Sequence, residues 1–298
     1  MSRESSKEGT EGTAASRAAA TRRSGAWAGT AFLVAGIVLL AVSFAGNFTS
    51  AGRYVNLPPR PGERFDPALV PGTPDLPSLY RAAQLRAGGN LRDLPPARAM
   101  EILYETVADR FTHGDRATYN PYSNWVLWAL GAVSPRHAYI QDPDALLRYG
   151  HSAMCGEVSY VLLRLAGMAG IRARHVHLNG HIVMESWYEG EWHAYDPDLE
   201  GVVRDESGSV LSVRKAVRRP ERLRNVYEGR GTPSYMDHLM EIYTNESDDR
   251  YFSYPAGSFF DPVGHWPGRI EQLAGYARFG IPVFFLVAGF ILRRRPRL

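Results

Sequence analysis

Residues 24–52 contain no Asp, Glu, Lys or Arg, and within them 27–45 is dense in Ala, Val, Leu, Ile and Phe. About 20 apolar residues in a helix cross the hydrocarbon core of a bilayer, so this segment is long enough to span one. Near the other end, 279–292 gives 14 uncharged residues. Extended back to 272, past Arg278, the stretch reaches 21, and the expectation is that Arg278 snorkels toward the headgroups. Pro282 kinks such a helix without preventing insertion. The competing reading of the second segment is a buried core helix. Two spans at 26–46 and 272–292 force everything between them to leave and re-enter the membrane on one side, which constrains the fold more than any other feature.

Charge then orients the chain. Residues 1–25 carry a net +2 and the tail from Arg293 a net +4, which leaves 26–292 at −3 within an overall +3. Basic flanks mark cytoplasmic ends, so both termini are expected in the cytoplasm and the body outside it. Ser43-Phe44-Ala45 loosely resembles a processing site, but the long apolar run favours an uncleaved anchor. A mildly acidic body between basic tails is not a nucleic-acid footprint. With 298 residues, 45% hydrophobic, there is material for one proper core.

Residues 1–25, rich in Ser, Thr, Ala, Gly and charge, are expected to be a disordered tail. Seven prolines in 53–78 read as an extended linker, and 79–265 as the extracytoplasmic domain. Helical spacing of Ala99, Ile102, Leu103, Val107 and Phe111 predicts a helix over 97–112. The aromatic stretch 123–131 predicts a short buried helix, and Asp142-Pro143 opens another that ends at Gly150. Val158, Val161, Leu162, Leu165 and Ala169 make 156–169 the clearest helix. Strands are expected at 172–178, 181–188 and 191–196, the last two joined by Glu189-Gly190 as a two-residue turn. Beyond Val203 only loops and one helix are readable. Helices first and a meander afterwards predict an α+β fold.

Cys155 is the sole cysteine, so it forms no internal disulfide and no multi-cysteine zinc site. One cysteine in an extracytoplasmic domain also avoids scrambled disulfides. The bland reading is a small buried thiol. Against it, Cys155 stands at the start of a helix, where unpaired N–H groups and the helix dipole favour a thiolate. If Tyr188 and Glu191 flank the turn, Trp187 faces Trp192 and His181 lies diagonal to Asp196 on one face, within reach for longer side chains. That gives a nucleophile, a base and a group that orients the base. Asp198 falls directly opposite His181 by the same register, but Pro197 should break the pairing there, which favours Asp196.

Cys155-Gly156-Glu157, the following Leu162-Leu163-Arg164-Leu165-Ala166-Gly167, and Gly170-Ile171-Arg172-Ala173-Arg174-His175-Val176 resemble the nucleophile helix and next strand of the transglutaminase-like superfamily. His181-Ile182-Val183-Met184-Glu185 and Trp192-His193-Ala194-Tyr195-Asp196-Pro197 resemble its histidine and Asp-Pro strands. The match covers residues 143–200; Val183 stands where the family usually has an aromatic, and the gap from cysteine to histidine is compact. The resemblance implies a papain-like α+β core with its nucleophile helix on an antiparallel sheet. It also implies a Cys155–His181–Asp196 triad acting on amide bonds through a thioacyl-enzyme, with no cofactor or metal. The Cys155 N–H would stabilise the oxyanion in part, and Tyr149 and His151 are near in sequence for a second donor. An idle scaffold that binds a peptide or a membrane-protein partner is the rival reading.

Other residues invite weaker readings. His175 and His177 share a strand face, as a metal pair can, but are more simply core or surface residues. Trp187 and Trp192 line a substrate groove or pack across strands. The basic run 214–224 is a solvated face or a contact to anionic lipid. The sequons at Asn47 and Asn245 carry little weight.

Overall fold

The computed structural model describes residues 8–230, 232–245, 249–253 and 265–294. The first seven residues, the tail from Arg295, the aromatic stretch 254–260 and most of the Asn245 sequon lie outside the described residues. In chain order the elements are α1 (Glu8–Phe48), α2 (Leu69–Gly72), α3 (Leu76–Ala87), α4 (Pro96–Arg110), β1 (Thr112–His113), α5 (Pro121–Val133), α6 (Pro143–Tyr149), β2 (Ser152–Ala153) and α7 (Cys155–Met168). They continue with β3 (Arg172–His177), β4 (Ile182–Tyr188), β5 (Glu191–Tyr195), α8 (Val213–Val217), α9 (Pro220–Tyr227), α10 (Pro233–Thr244), β6 (Arg250–Ser253) and α11 (His265–Arg294). The fold is α+β, as expected, and forms two compact units.

One unit comprises the chain up to Gly52, Asn120–Ala129 and the chain from Gln272. Its two long helices contain Ala26–Phe48 and Ile270–Arg294, each long and apolar enough to cross a membrane, and only 17% of each apolar window is buried. A core helix of a soluble protein would be mostly buried, so the core-helix alternative for the second segment has no support. The helices run antiparallel. A Cβ at Gly29 would lie 2.8 Å from Arg293 Cγ, and one at Gly36 would lie 2.9 Å from the Pro282 carbonyl oxygen. Seven residues further, Ser43 Oγ donates to the Arg278 carbonyl at 2.9 Å. Small residues along a seam let backbones approach closely, which is how helices associate in lipid.

Two expectations change in this unit. The chain is already helical from Glu8, where a disordered tail was expected, because the Ala-rich stretch continues the apolar helix backwards. Arg278 does not snorkel. It is buried, donating through Nη2 to Asn47 Oδ1 at 2.7 Å and through Nη1 to the Ser123 carbonyl. An internal amide and carbonyl satisfy the cation in place of headgroups.

The other unit comprises Arg53–Tyr119 and Leu130–Glu271, and its sheet has the order β5-β4-β3-β6, antiparallel throughout. The β4–β5 register is the one the sequence dictates: Tyr188 pairs with Glu191, and Trp187 with Trp192. Glu189 (φ 53°) and Gly190 (φ 82°) both adopt positive φ, the signature of the type I′ turn that suits strand twist. One face of the sheet meets α7 and α4, with Tyr160 near His175 and Tyr104 near Tyr195. Val176 and Val183, on the other face, share a core with Val213, Leu223, Tyr227 and Leu239. Both faces of β4 are covered, so Val183, Met184, Glu185 and Ser186 are all buried.

The segment expected to be an extended linker contains α2 (Leu69–Gly72) and belongs to the compact domain. Asn56 Oδ1 accepts from His151 N–H at 2.6 Å and Ser152 N–H at 3.0 Å, and Leu57 N–H donates to Ser152 Oγ at 2.7 Å. Its last residues already belong to α3, which Asp75 caps by accepting from Ser78 N–H at 2.8 Å. After Val203, where loops and one helix were expected, the chain forms α8, α9 and α10. Their apolar faces are short, and only the sheet they cover makes them visible.

Candidate active site

Cys155 is the first residue of α7 and is half-buried. Ahead of it, the Met154 N–H is accepted by Glu157 Oε2 at 2.8 Å, which ties the start of the helix to its own third residue. Burial pushes the Glu157 carboxyl up to about 7, against the opposing Met154 hydrogen bond and the Arg116 charge. Gly156 leaves room for Ile182, whose Cδ1 would stand 3.0 Å from a Cβ there.

His181 sits in the turn between β3 and β4. The turn closes with the Leu178 N–H donating to the His181 carbonyl at 2.9 Å, and Gly180 takes a φ of 111°. Its ring is buried, and Nε2 lies 2.7 Å from Asp196 Oδ2, while the Cys155 sulfur stands within 4.8 Å of an imidazole nitrogen. Burial alone would lower the His181 pKa, but the Asp196 charge and the bonds to Asp196 and Cys155 raise it well above the ordinary value. For Asp196, burial works upward, yet the imidazolium and the hydrogen bonds it accepts hold it below the usual carboxylate range.

Asp196 is held on all sides. Oδ1 accepts from the Asp198 N–H at 3.2 Å and the Leu199 N–H at 3.1 Å, and Oδ2 also accepts from Tyr227 Oη at 3.0 Å. Tyr227 Oη is in turn 2.5 Å from Tyr243 Oη. The strand ends at Tyr195, and Asp196 exchanges two backbone hydrogen bonds with Gly201 instead of continuing opposite Val183. The ladder therefore ends one pair earlier than the register predicts, before Pro197, and the two acids part. Asp198 turns to His113, with its Oδ1 2.9 Å from Nδ1, and burial raises its pKa.

The structure thus brings Cys155, His181 and Asp196 together in the expected order. It adds His113, Tyr227 and Tyr243, which sequence reasoning missed: the two tyrosines lie in the segment left unassigned, and His113 lies 42 residues before the cysteine with no motif around it. Of the two residues considered as oxyanion donors, the His151 ring packs against Phe65 at 4.8 Å and Tyr149 is buried. Cys155, His181 and Asp198 also offer ligand atoms within 4.8 Å of one another, a donor set suited to zinc.

The remaining candidates take their bland readings. His175 is buried, and burial pushes its pKa down to about 3. Trp187 and Trp192 pack edge to face at 5.2 Å, with Arg174 3.9 Å over Trp192. Within the basic run, Arg219 and Arg222 pair with Glu206 and Arg224 with Asp237. A surface cleft lined by Glu101, Tyr188, His193, Arg204 and Ser209 lies elsewhere in the domain and holds no triad residue.

No protein-family model, curated protein or solved structure matches this chain.

Proposed function

We propose that this chain is a membrane-anchored cysteine enzyme of transglutaminase-like type, with a papain-like core, that acts on amide bonds of peptides or proteins at the cell surface. The observation that carries this is the position of His181, bonded at 2.7 Å to a buried carboxylate and with a ring nitrogen within 4.8 Å of the sulfur of the sole cysteine. A structural thiol has no need of an imidazole whose far side is held by a carboxylate.

In the first half-reaction the Cys155 sulfur attacks the amide carbonyl, the S–C bond forms, and the electron pair moves to the oxygen. That oxygen lies toward the Cys155 N–H, which occupies a helix-start position without an intrahelical acceptor. His181, protonated at Nδ1, gives its proton to the leaving amine as the C–N bond breaks. An amine or water then adds to the thioacyl group, its proton passes to Nδ1, and the S–C bond breaks. Asp196 keeps Nε2–H oriented and stabilises the imidazolium at each stage. The basic flanks of both spans support cytoplasmic termini and an extracytoplasmic body.

The test is capture of the intermediate. A peptide-amide probe with an electrophilic acyl group should leave one adduct, on Cys155, by mass spectrometry of the full-length protein. His181→Ala should abolish the adduct, and EDTA should leave it unchanged. A folded wild-type protein that never acquires the adduct would indicate an idle scaffold. Loss of the adduct in EDTA would point to the Cys155–His181–Asp198 donor set instead.

A further inference from the structure

Between Arg116 and Arg136 the chain runs 19 residues without Asp, Glu, Lys or Arg. Within it, 123–131 was expected to be a short buried helix, and the structure corrects that. Only Ser123, Asn124 and Leu127 of α5 are buried, whereas Tyr122 is 43% and Trp128 53% exposed. Further along the same helix Leu130 and Val133 are exposed as well. An exposed, uncharged and aromatic helix face is costly in water, and no other described part of the protein needs it for packing.

The start of α5 is pinned to the two spans. Trp125 Nε1 donates to Ser43 Oγ and to the Arg278 carbonyl, each at 3.2 Å. The buried Arg278 guanidinium donates to the Ser123 carbonyl, and Gly46 presses so closely on the Tyr122 carbonyl that no Cβ fits between them. The ladder breaks at Asn124 (φ −160°, ψ 94°), whose side chain caps the helix beyond by accepting from the Leu127 N–H at 3.2 Å. The polar groups freed by the break are thus met from within. This is how irregular backbone is tolerated at membrane depth.

Depth follows from the contacts. Ser43 stands five residues before Phe48, the last residue of α1, or about 8 Å along a helix rising about 1.5 Å per residue. An interfacial helix sinks about 5–10 Å into the boundary between headgroups and acyl chains, and Trp and Tyr concentrate at that level. Phe44 and Phe48 of α1 are exposed in the same unit as Tyr122 and Trp128, so both elements carry aromatic residues that the protein itself leaves uncovered.

We infer that α5 is a third membrane element, lying in the interface with Tyr122 and Trp128 in lipid, and that the occupant of its exposed face is the bilayer holding α1 and α11. This rests on α1 and α11 being spans and is independent of the chemistry at Cys155.

The test uses the full chain carrying Cys155→Ser, with single nitroxide labels at Trp128→Cys and, in a second variant, Tyr122→Cys. The protein is reconstituted in phosphatidylcholine–phosphatidylglycerol vesicles. Phe284→Cys on α11 is the lipid reference and Val55→Cys, exposed in the linker, the water reference. Collision with oxygen should exceed collision with a water-soluble nickel chelate several-fold at 122 and 128 relative to residue 55, and less than at residue 284. Profiles at 122 and 128 that match residue 55 would overturn the inference while leaving the spans intact. Labels shielded from both reagents would overturn it in favour of a protein partner. A water-like profile at residue 284 would remove the spans themselves and the inference with them.

Discussion

Replacing Asp196 by Asn tests the core of the candidate site, because it changes one charge inside a buried network and little else. Asp196 is 2% exposed and accepts four hydrogen bonds, one of them from His181 at 2.7 Å. Asn keeps the shape and one acceptor but removes the charge facing the imidazolium, and its amide favours the tautomer with the proton on Nδ1. At a charge separation of about 4 Å and an effective dielectric near 20, the lost attraction is about 4 kcal/mol. The retained amide contact returns about 1 kcal/mol. At about 1.4 kcal/mol per factor of ten, imidazolium formation beside Cys155 becomes roughly 100- to 1000-fold less favourable.

The lone cysteine makes the assay specific, since iodoacetamide incorporated into the folded protein reports on Cys155 alone. Wild type should alkylate readily near neutral pH, and Asp196→Asn should be slower by about two orders of magnitude below pH 8, with the difference shrinking at high pH. Stability should change in step. The raised His181 pKa means that its contribution is complete below its unfolded value and fades as pH rises through the folded one. The lowered Asp196 pKa means that its contribution is present above its unfolded value and fades as pH falls through the folded one. The pair is therefore worth most between those limits, where Asp196→Asn should lower the melting temperature most. A folded Asp196→Asn protein whose alkylation profile overlays that of wild type from pH 5 to 9 would refute the coupling of the three groups.

Two further outcomes are expected. Arg110 is fully buried and its charge is met by Thr73 Oγ1, the Gly150 carbonyl and the Leu147 carbonyl at 2.7–3.1 Å, while burial pulls its pKa down to about 10. Arg110→Ala leaves a cavity and three unmet acceptors, so it should cost about 3–5 kcal/mol and lower the melting temperature by about 10 °C; a shift under about 2 °C would show that the contacts are dispensable. Because burial raises the Glu157 pKa to about 7, the folded state holds a proton between the unfolded value and 7 that the unfolded state has lost, and stability falls as pH rises through that window. Glu157→Gln keeps an acceptor for the Met154 N–H and should flatten this part of the melting-temperature profile; parallel profiles for the two proteins would refute the assignment.

The two long apolar helices, α4, α6, α7, β3, β4, β5 and the register of the β4–β5 hairpin were all legible in the chain. Each is written in local periodicity: uncharged length for the apolar helices, 3.6-residue spacing for α7, and Glu189-Gly190 between two β-rich runs for the turn. Cys155, His181 and Asp196 were legible because the first opens α7 and the other two immediately precede β4 and follow β5, positions that local geometry fixes. His113, Tyr227 and Tyr243 were not, since they reach the site from β1, α9 and α10, which have no strong pattern of their own. The choice between Asp196 and Asp198 was legible only in part, through the break expected at Pro197.

By itself the sequence determined which segments are apolar enough to leave water, which helix begins with the thiol, and how one hairpin pairs. These depend on neighbours along the chain and on backbone sterics. Tertiary structure decided which carboxylate meets His181, what surrounds Arg278, and that α5 shows Tyr122 and Trp128 outward rather than burying them. The surroundings of Arg278 depend on groups more than a hundred residues away, Asn47 and Ser123, and the other two outcomes on groups such as Tyr227, His113 and Ser43 that lie on separate elements; no local pattern encodes a partner that only the folded chain brings near.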